Sequence, residues 1–418
     1  MEKRYERSAN PIKVAFIVGS FPTLSETFIL NQITGLLDLG HQVDIYASRN
    51  LGERKVHPDI AKYRLMERVR YFDIPTNKPK RVLKAAWLIA SNFYKSPLAM
   101  LNALNVFKFG KKALSLRTFY YLVPFLGREQ DYDIIHCHFG PRGIVGVFLK
   151  DLGIGGKVVT TFHAHDINKF VRERGKNVYS YLFKRGDAFL PISNYCAEEL
   201  IKLGCEKEKM TIHRMGIDLQ KFRYSPKKAA KGESVKILTV GRLVECKGHE
   251  YAIRALAEVI RKHKNVKYVI AGDGPLRSYL ENLVKDLNLK ENVNFLGEVD
   301  QDEVTKLYRE SHLFVLPSVT AADGNQEGVP VVLMEAQASG LPVVSTLFTG
   351  VPEVVADGKS GFLVSERDVS ALAEKLEYLI DHPDLWPKMG RAGSNLVEEN
   401  YNIKKLNLKL VKIFEDLL

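Results

Sequence analysis

The chain has 418 residues and no run of about 18 uncharged apolar ones, so no membrane-spanning helix is expected. Cysteine is scarce. Cys137, Cys196, Cys205 and Cys246 are scattered and show no CxxC spacing, which argues against a disulfide framework or a zinc ribbon and for a reducing, cytoplasmic setting. The opening stretch, MEKRYERSANPIK, has charges but no apolar segment behind them, so a secretory signal is not expected. A dinucleotide fingerprint G-x-G-x-x-G is also missing. Gly19-Ser20-Phe21-Pro22 does not fit it, and Gly272-Asp273-Gly274 is followed by Arg277 where the third glycine belongs. This excludes an ordinary nicotinamide enzyme. No convincing DxD pair for a metal–diphosphate clamp is found. Solenoid repeats and low-complexity tracts are lacking too.

What is present describes a globular protein, 45% apolar and 26% charged. Its length exceeds one hydrophobic core and predicts two domains of roughly 200 residues each. The net charge of +12 is concentrated. Residues 61–128 hold 14 Lys or Arg against two acids, Glu67 and Asp73. Aromatic residues are interleaved there, including Tyr71, Phe72, Trp87, Phe93, Tyr94, Phe107, Phe109, Phe119, Tyr120 and Tyr121. Such a segment can lie on an anionic membrane, or it can be a pair of amphipathic helices with a solvated basic face. Nucleic acid is not the expected partner.

The apolar pattern alternates between short runs and helical periods. Lys13–Val18 reads as a buried strand. Thr23-x-x-Glu26 reads as a capping box opening a helix that Gly40 closes, and Val43–Ala47 reads as the next strand. Further strands are predicted at 134–136, 157–161 and 188–192. A polar stretch, Thr211–Ser234, reads as an interdomain connection. The alternation then restarts, with strands at 235–240, 266–271, 293–295, 313–316, 342–345 and 361–364. Helices are expected at 249–262, 275–287, 301–310, 369–381 and 402–418. Two such blocks predict an α/β protein with two facing, Rossmann-like doubly wound domains and a deep cleft between them. The expected division is 1–215 and 216–401, with helix 402–418 packing back on the first domain.

Ligands of doubly wound sheets bind beyond the carboxyl ends of the strands. Gly241-Arg242-Leu243 follows a strand there, and Lys247-Gly248 opens a helix. Two cations beside a helix N-terminus make an anion site. Glu327-Gly328-Val329-Pro330-Val331 follows the strand at 313–316. Pro330 suits the first turn of a helix, which leaves Glu327 in the loop and Glu335 about two turns along. The N–H groups near Gly328 and Val331 would face a phosphate, and the two carboxylates suit paired sugar hydroxyls. Thr161-Phe162-His163-Ala164-His165-Asp166 also follows a strand. The pairs His136-x-His138 and His163-x-His165 put a metal within conception, but strand-end histidines usually hydrogen-bond instead, and no metal is assigned.

GRL-x-x-x-KG, then AGDGPL, FLG, Glu327-x7-Glu335 and GLPVV in this order resemble glycosyltransferase family 4, a retaining family with the GT-B fold. The resemblance implies that Arg242 and Lys247 hold a donor diphosphate. It implies that Glu335 binds the ribose, that Glu327 binds a hydroxyl of the sugar, and that Gly297 and Val299 lie by the base. His163 would reach the donor sugar near the reacting centre, with Asp166 as a second candidate. The SFP-x-x-SET segment is similar to the colanic-acid and exopolysaccharide branch and sets Glu26 and Thr27 on the acceptor side. The expected activity is sugar transfer with retention, metal-independent, from a UDP- or GDP-linked donor to a saccharide, possibly polyprenyl-diphosphate-linked. No cofactor beyond the donor is expected. The alternatives are a non-catalytic nucleotide-sugar or anionic-lipid binding protein, or a GT-B sugar-nucleotide epimerase.

Overall fold

The computed structural model describes residues 10–23, 26–52, 56–127, 131–228 and 232–418. Twelve strands form two six-stranded sheets, each wholly parallel. The first contains β1 (Lys13–Ser20), β2 (Gln42–Arg49), β3 (Val69–Tyr71), β4 (Ile134–His138), β5 (Lys157–Phe162) and β6 (Ala188–Pro191). Its order is β3-β2-β1-β4-β5-β6. The second contains β7 (Val235–Val240), β8 (Val266–Ala271), β9 (Val293–Gly297), β10 (Leu313–Leu316), β11 (Val343–Thr346) and β12 (Gly361–Val364). Its order is β12-β11-β10-β7-β8-β9. Chain direction from the middle reverses between β1 and β4, and between β7 and β10. Those two crevices are the switch points where such sheets bind ligands.

The strands are nearly continuous apolar runs because helices cover both sheet faces. Val14–Val18 and Leu313–Leu316 are all buried. The helix His249–Lys262 covers the second sheet with Ala252, Ile253, Leu256 and Val259, one face at helical spacing. Ser193, Asp300, Asp368 and Asn402 each cap a helix by accepting a backbone N–H. The last helix, Ile403–Leu417, lies on the N-terminal lobe. Leu410 and Phe414 join that lobe's core, and Asn407 donates to the carbonyl of Asn31. Just before it, Ile217 pairs with Tyr401 and Ile403 through backbone bonds, so the two crossings between lobes are stitched together.

Three local expectations need correcting. The helix after β1 starts at Thr27, with Glu26 at its N-cap and no side-chain cap bond, so Thr23 and Glu26 do not form a capping box. Leu24 and Ser25 of the SFP-x-x-SET segment lie outside the described residues. Pro330 is the N-cap of the helix Val331–Ala338, not in its first turn, and Glu335 is therefore one turn along. The basic segment is not two helices. It supplies β3, the helix Lys78–Asn92 and a series of short helices, broken at Pro97 and at two residues with positive φ, Gly110 and Leu116. Arg128 of this segment is outside the described residues.

Candidate functional site

The C-terminal lobe's crevice lies between the loops after β7 and β10. Two glycines let the loops after β8 and β10 approach the loop after β7. A Cβ on Gly272 would stand 2.0 Å from the Gly241 carbonyl oxygen, and one on Gly248 would stand 1.8 Å from that of Pro317. Backbone bonds from Leu243 to Asp273 and from Leu276 to Leu243 then tie GRL to AGDGPL. Lys247 reaches across the crevice and ion-pairs with Glu327 through Nζ and Oε1. The other Glu327 oxygen accepts from Ser318 Oγ at 3.0 Å. Arg242 is exposed beside them and, among the described residues, has no carboxylate within ion-pair distance. Its carbonyl accepts from His249 Nε2 at 3.0 Å, which anchors the loop to the helix behind.

The helix Val331–Ala338 begins in the same place. Among the described residues, the N–H groups of Gly328, Val331 and Val332 have no protein acceptor, as expected of a helix start. Glu335 keeps slight solvent contact, yet its carboxyl is enclosed by protein. Burial pushes it up to about 7, and Tyr308 donates to it at 3.0 Å. Gly297 ends β9 with φ +75° and accepts from the Gly272 N–H at 2.8 Å. Val299 follows it, partly buried against the core.

Gly328 joins the lobes. A Cβ there would meet Ile192 Cδ1 at 3.0 Å and Ala164 Cβ at 3.2 Å. The loop after β5, with His163, is thereby set against the loop holding Glu327. The His163 ring is buried between Phe28 and Phe139, and His138 Nδ1 lies 3.4 Å from its Nε2. Burial lowers its pKa to about 3, so the imidazole is neutral. Asp166 stands three residues after His163. It is fully buried, and its two oxygens accept from the N–H groups of His163 and Gly140 at 2.8 and 2.7 Å. It therefore positions the His163 loop. His165 points to solvent, while His136 and His138 are buried on one face. Among the described residues, no three His, Cys, Asp or Glu side chains gather as a metal group. The literal DxD matches are structural: Asp133 accepts from the Lys13 N–H, and Asp300 caps a helix.

The N-terminal switch point contains Glu26, Thr27 and a residue that sequence reasoning missed. Arg142 stands in the first turn of the helix Gly140–Asp151, beside Gly19, and donates to Ser48 Oγ at 2.8 Å. The charge of Glu26 acts on it. Its position after β4, behind Gly140-Pro141, was the available signal. Tyr308, Ser318 and Glu353 were also missed. Glu353 bridges the lobes by accepting from Asn194 N at 2.7 Å and Arg214 Nη2 at 3.2 Å. No sequence motif marks them, since each acts through a partner distant in the chain.

Known proteins resemble this chain over both lobes. The family description "Glycosyl transferases group 1" matches residues 220–396, and "Glycosyltransferase Family 4" matches 98–221. A protein of Escherichia coli (strain K12) named as a colanic acid biosynthesis glycosyltransferase, WcaL, is 37% identical over 97% of this chain and 100% of its own. The amylovoran biosynthesis glycosyltransferase AmsK of Erwinia amylovora is 34% identical over the same shares. The solved structure of HepE from Anabaena, in complex with UDP and glucose, superposes with a TM-score of 0.70 at 18% identity, covering 97% of this chain and 100% of that one.

Proposed function

We infer the reaction from one premise: this chain belongs to glycosyltransferase family 4, in the branch that builds exopolysaccharides, has the GT-B fold, and is a glycosyltransferase. The donor is a UDP- or GDP-linked sugar seated at the C-terminal switch point. Arg242 and Lys247 take its diphosphate, helped by the N–H groups of Gly328 and Val331. Glu335 accepts from the ribose hydroxyls, and Gly297 and Val299 border the base. Glu327 orients the sugar, with His163 facing it from the other lobe. The acceptor enters past Glu26, Thr27 and Arg142. Arg142 suits an anionic group, such as the diphosphate of a polyprenyl-linked saccharide.

In the step itself the acceptor oxygen bonds to the anomeric carbon on the face that the phosphate leaves. The acceptor proton passes to the departing phosphate oxygen, and configuration is retained. The protein's cations and helix-end amides neutralise the diphosphate in the transition state without a metal. Closure of the lobes excludes water and so suppresses hydrolysis of the donor. We read it as a cytoplasmic enzyme working at the inner face of the membrane.

The observation that carries this reading is the ion pair of Lys247 with Glu327, set against the His163 loop at Gly328. The test is incubation with labelled UDP- and GDP-sugars and a lipid-linked saccharide. Turnover that falls when Arg242 and Lys247 lose their charge supports it. Donor binding without transfer to any acceptor would mark a sensor instead, and undiminished turnover in the charge-removed variants would end the assignment.

A further inference from the structure

The segment between β3 and β4 contradicts the usual arrangement of a surface helix. The helix Lys78–Asn92 packs on the core through Ala85, Leu88 and Ile89. Its opposite side should be polar. Instead Leu83 and Trp87 are exposed there, Trp87 at 66%, and Val82 is exposed at the flank of the packed face. The pattern continues down the chain. Tyr94, Leu98 at 78%, Phe107 and Leu114 all face solvent. Residues 74–127 also hold nine Lys or Arg and no Asp or Glu. Lys78, Lys80 and Lys111 are exposed and, among the described residues, form no ion pair.

We propose that this outward apolar face, with its lysine collar, seats the N-terminal lobe on an anionic lipid bilayer. The exposed rings and leucines enter the acyl boundary, while the lysines meet the headgroups. Charge complementarity selects this occupant. A face this strongly basic repels a second copy of itself, even with Asp73 paired to Lys84 at its edge, and a nucleic-acid surface has no use for so many outward leucines. No described helix is long and apolar enough to cross the membrane, so the contact is with one leaflet. The inference deepens the function given above and rests on it for its purpose, since the acceptor lobe is held where a lipid-linked acceptor lies.

The chain contains its own reporter. Only two tryptophans are present. Trp386 is fully buried and donates to the Leu379 carbonyl, whereas Trp87 is on the proposed face. Vesicles of phosphatidylcholine containing phosphatidylglycerol should float the protein and shift its emission to the blue. Phosphatidylcholine alone should do so far less, and added salt should weaken binding. Trp87→Phe should keep flotation and lose the shift. Leu83→Ser/Leu98→Ser/Phe107→Ser should lower vesicle affinity at least tenfold with unchanged melting and donor binding. Each of Lys78→Gln, Lys80→Gln and Lys111→Gln should lower it about fivefold. Absence of flotation with the anionic vesicles at low salt would overturn the proposal. So would a dimer that the triple serine variant dissociates, or binding to an oligonucleotide in place of vesicles. If vesicles fail to bind while detergent-solubilised acceptor is still glycosylated, the membrane seat falls and the enzymatic assignment stands.

Discussion

Replacing Glu327 by Gln should make the protein bind a bare nucleoside diphosphate more tightly while making it a poorer enzyme. Glu327 occupies Lys247, and on the reading proposed above its negative charge stands where the donor diphosphate would arrive. The side chains are 14% and 18% exposed, so the pair is neither fully solvated nor dry. A unit pair at about 4 Å attracts by about 4 kcal/mol at an effective dielectric near 20. Desolvation and water access offset most of that, leaving about 1–2 kcal/mol. UDP or GDP affinity should therefore rise about five- to thirty-fold in Glu327→Gln. Lys247→Met should lose the cation facing the leaving group and lower kcat by about 10²–10³. Calorimetric titration of the wild type, both single variants and the double variant gives the coupling directly. An unchanged or weaker nucleotide affinity in Glu327→Gln would refute the reasoning, because it would mean that the carboxylate neither competes for Lys247 nor repels the ligand.

Glu335 makes stability depend on pH. Its folded pKa is raised to about 7 by burial, above the ordinary 4.5. Between those values the unfolded chain releases a proton that the folded chain keeps, so this group makes stability fall as pH rises through that window. The melting temperature of Glu335→Gln relative to wild type should climb from pH 4.5 to about 7 and then level off; a constant gap in calorimetry would contradict this. Asp166→Asn should lower stability by about 1–3 kcal/mol, since an amide cannot accept from both the His163 and Gly140 N–H groups without losing one bond. A purely chemical role would instead leave its denaturant midpoint unmoved. Gly248→Ala combines φ +68° with a Cβ placed 1.8 Å from the Pro317 oxygen. It should cost about 3 kcal/mol or more, seen as a large drop in melting temperature.

Local chemistry was legible in the amino-acid order. Val235–Val240, Val266–Ala271 and His249–Lys262 could be read to the residue, because a buried parallel strand must be apolar throughout and a covering helix must repeat its apolar face. The gathering of Arg242, Lys247 and Glu327 at one crevice was legible for a related reason: loops at the carboxyl ends of strands flanking a switch point lie side by side. The short edge strand Val69–Tyr71 was not, since three residues carry too little periodicity. Which partner each charged group takes was settled only in three dimensions. Lys247 meets Glu327 across 80 positions and Tyr308 meets Glu335 across 27. Asp166 turns inward to two backbone amides, although its spacing from His163 would equally have suited a ligand. The aromatics of the basic segment divide the same way, Phe72, Phe119 and Tyr120 inward and Trp87, Tyr94 and Phe107 outward. Composition records how much apolar surface a segment carries, but only packing decides which of it is left facing out.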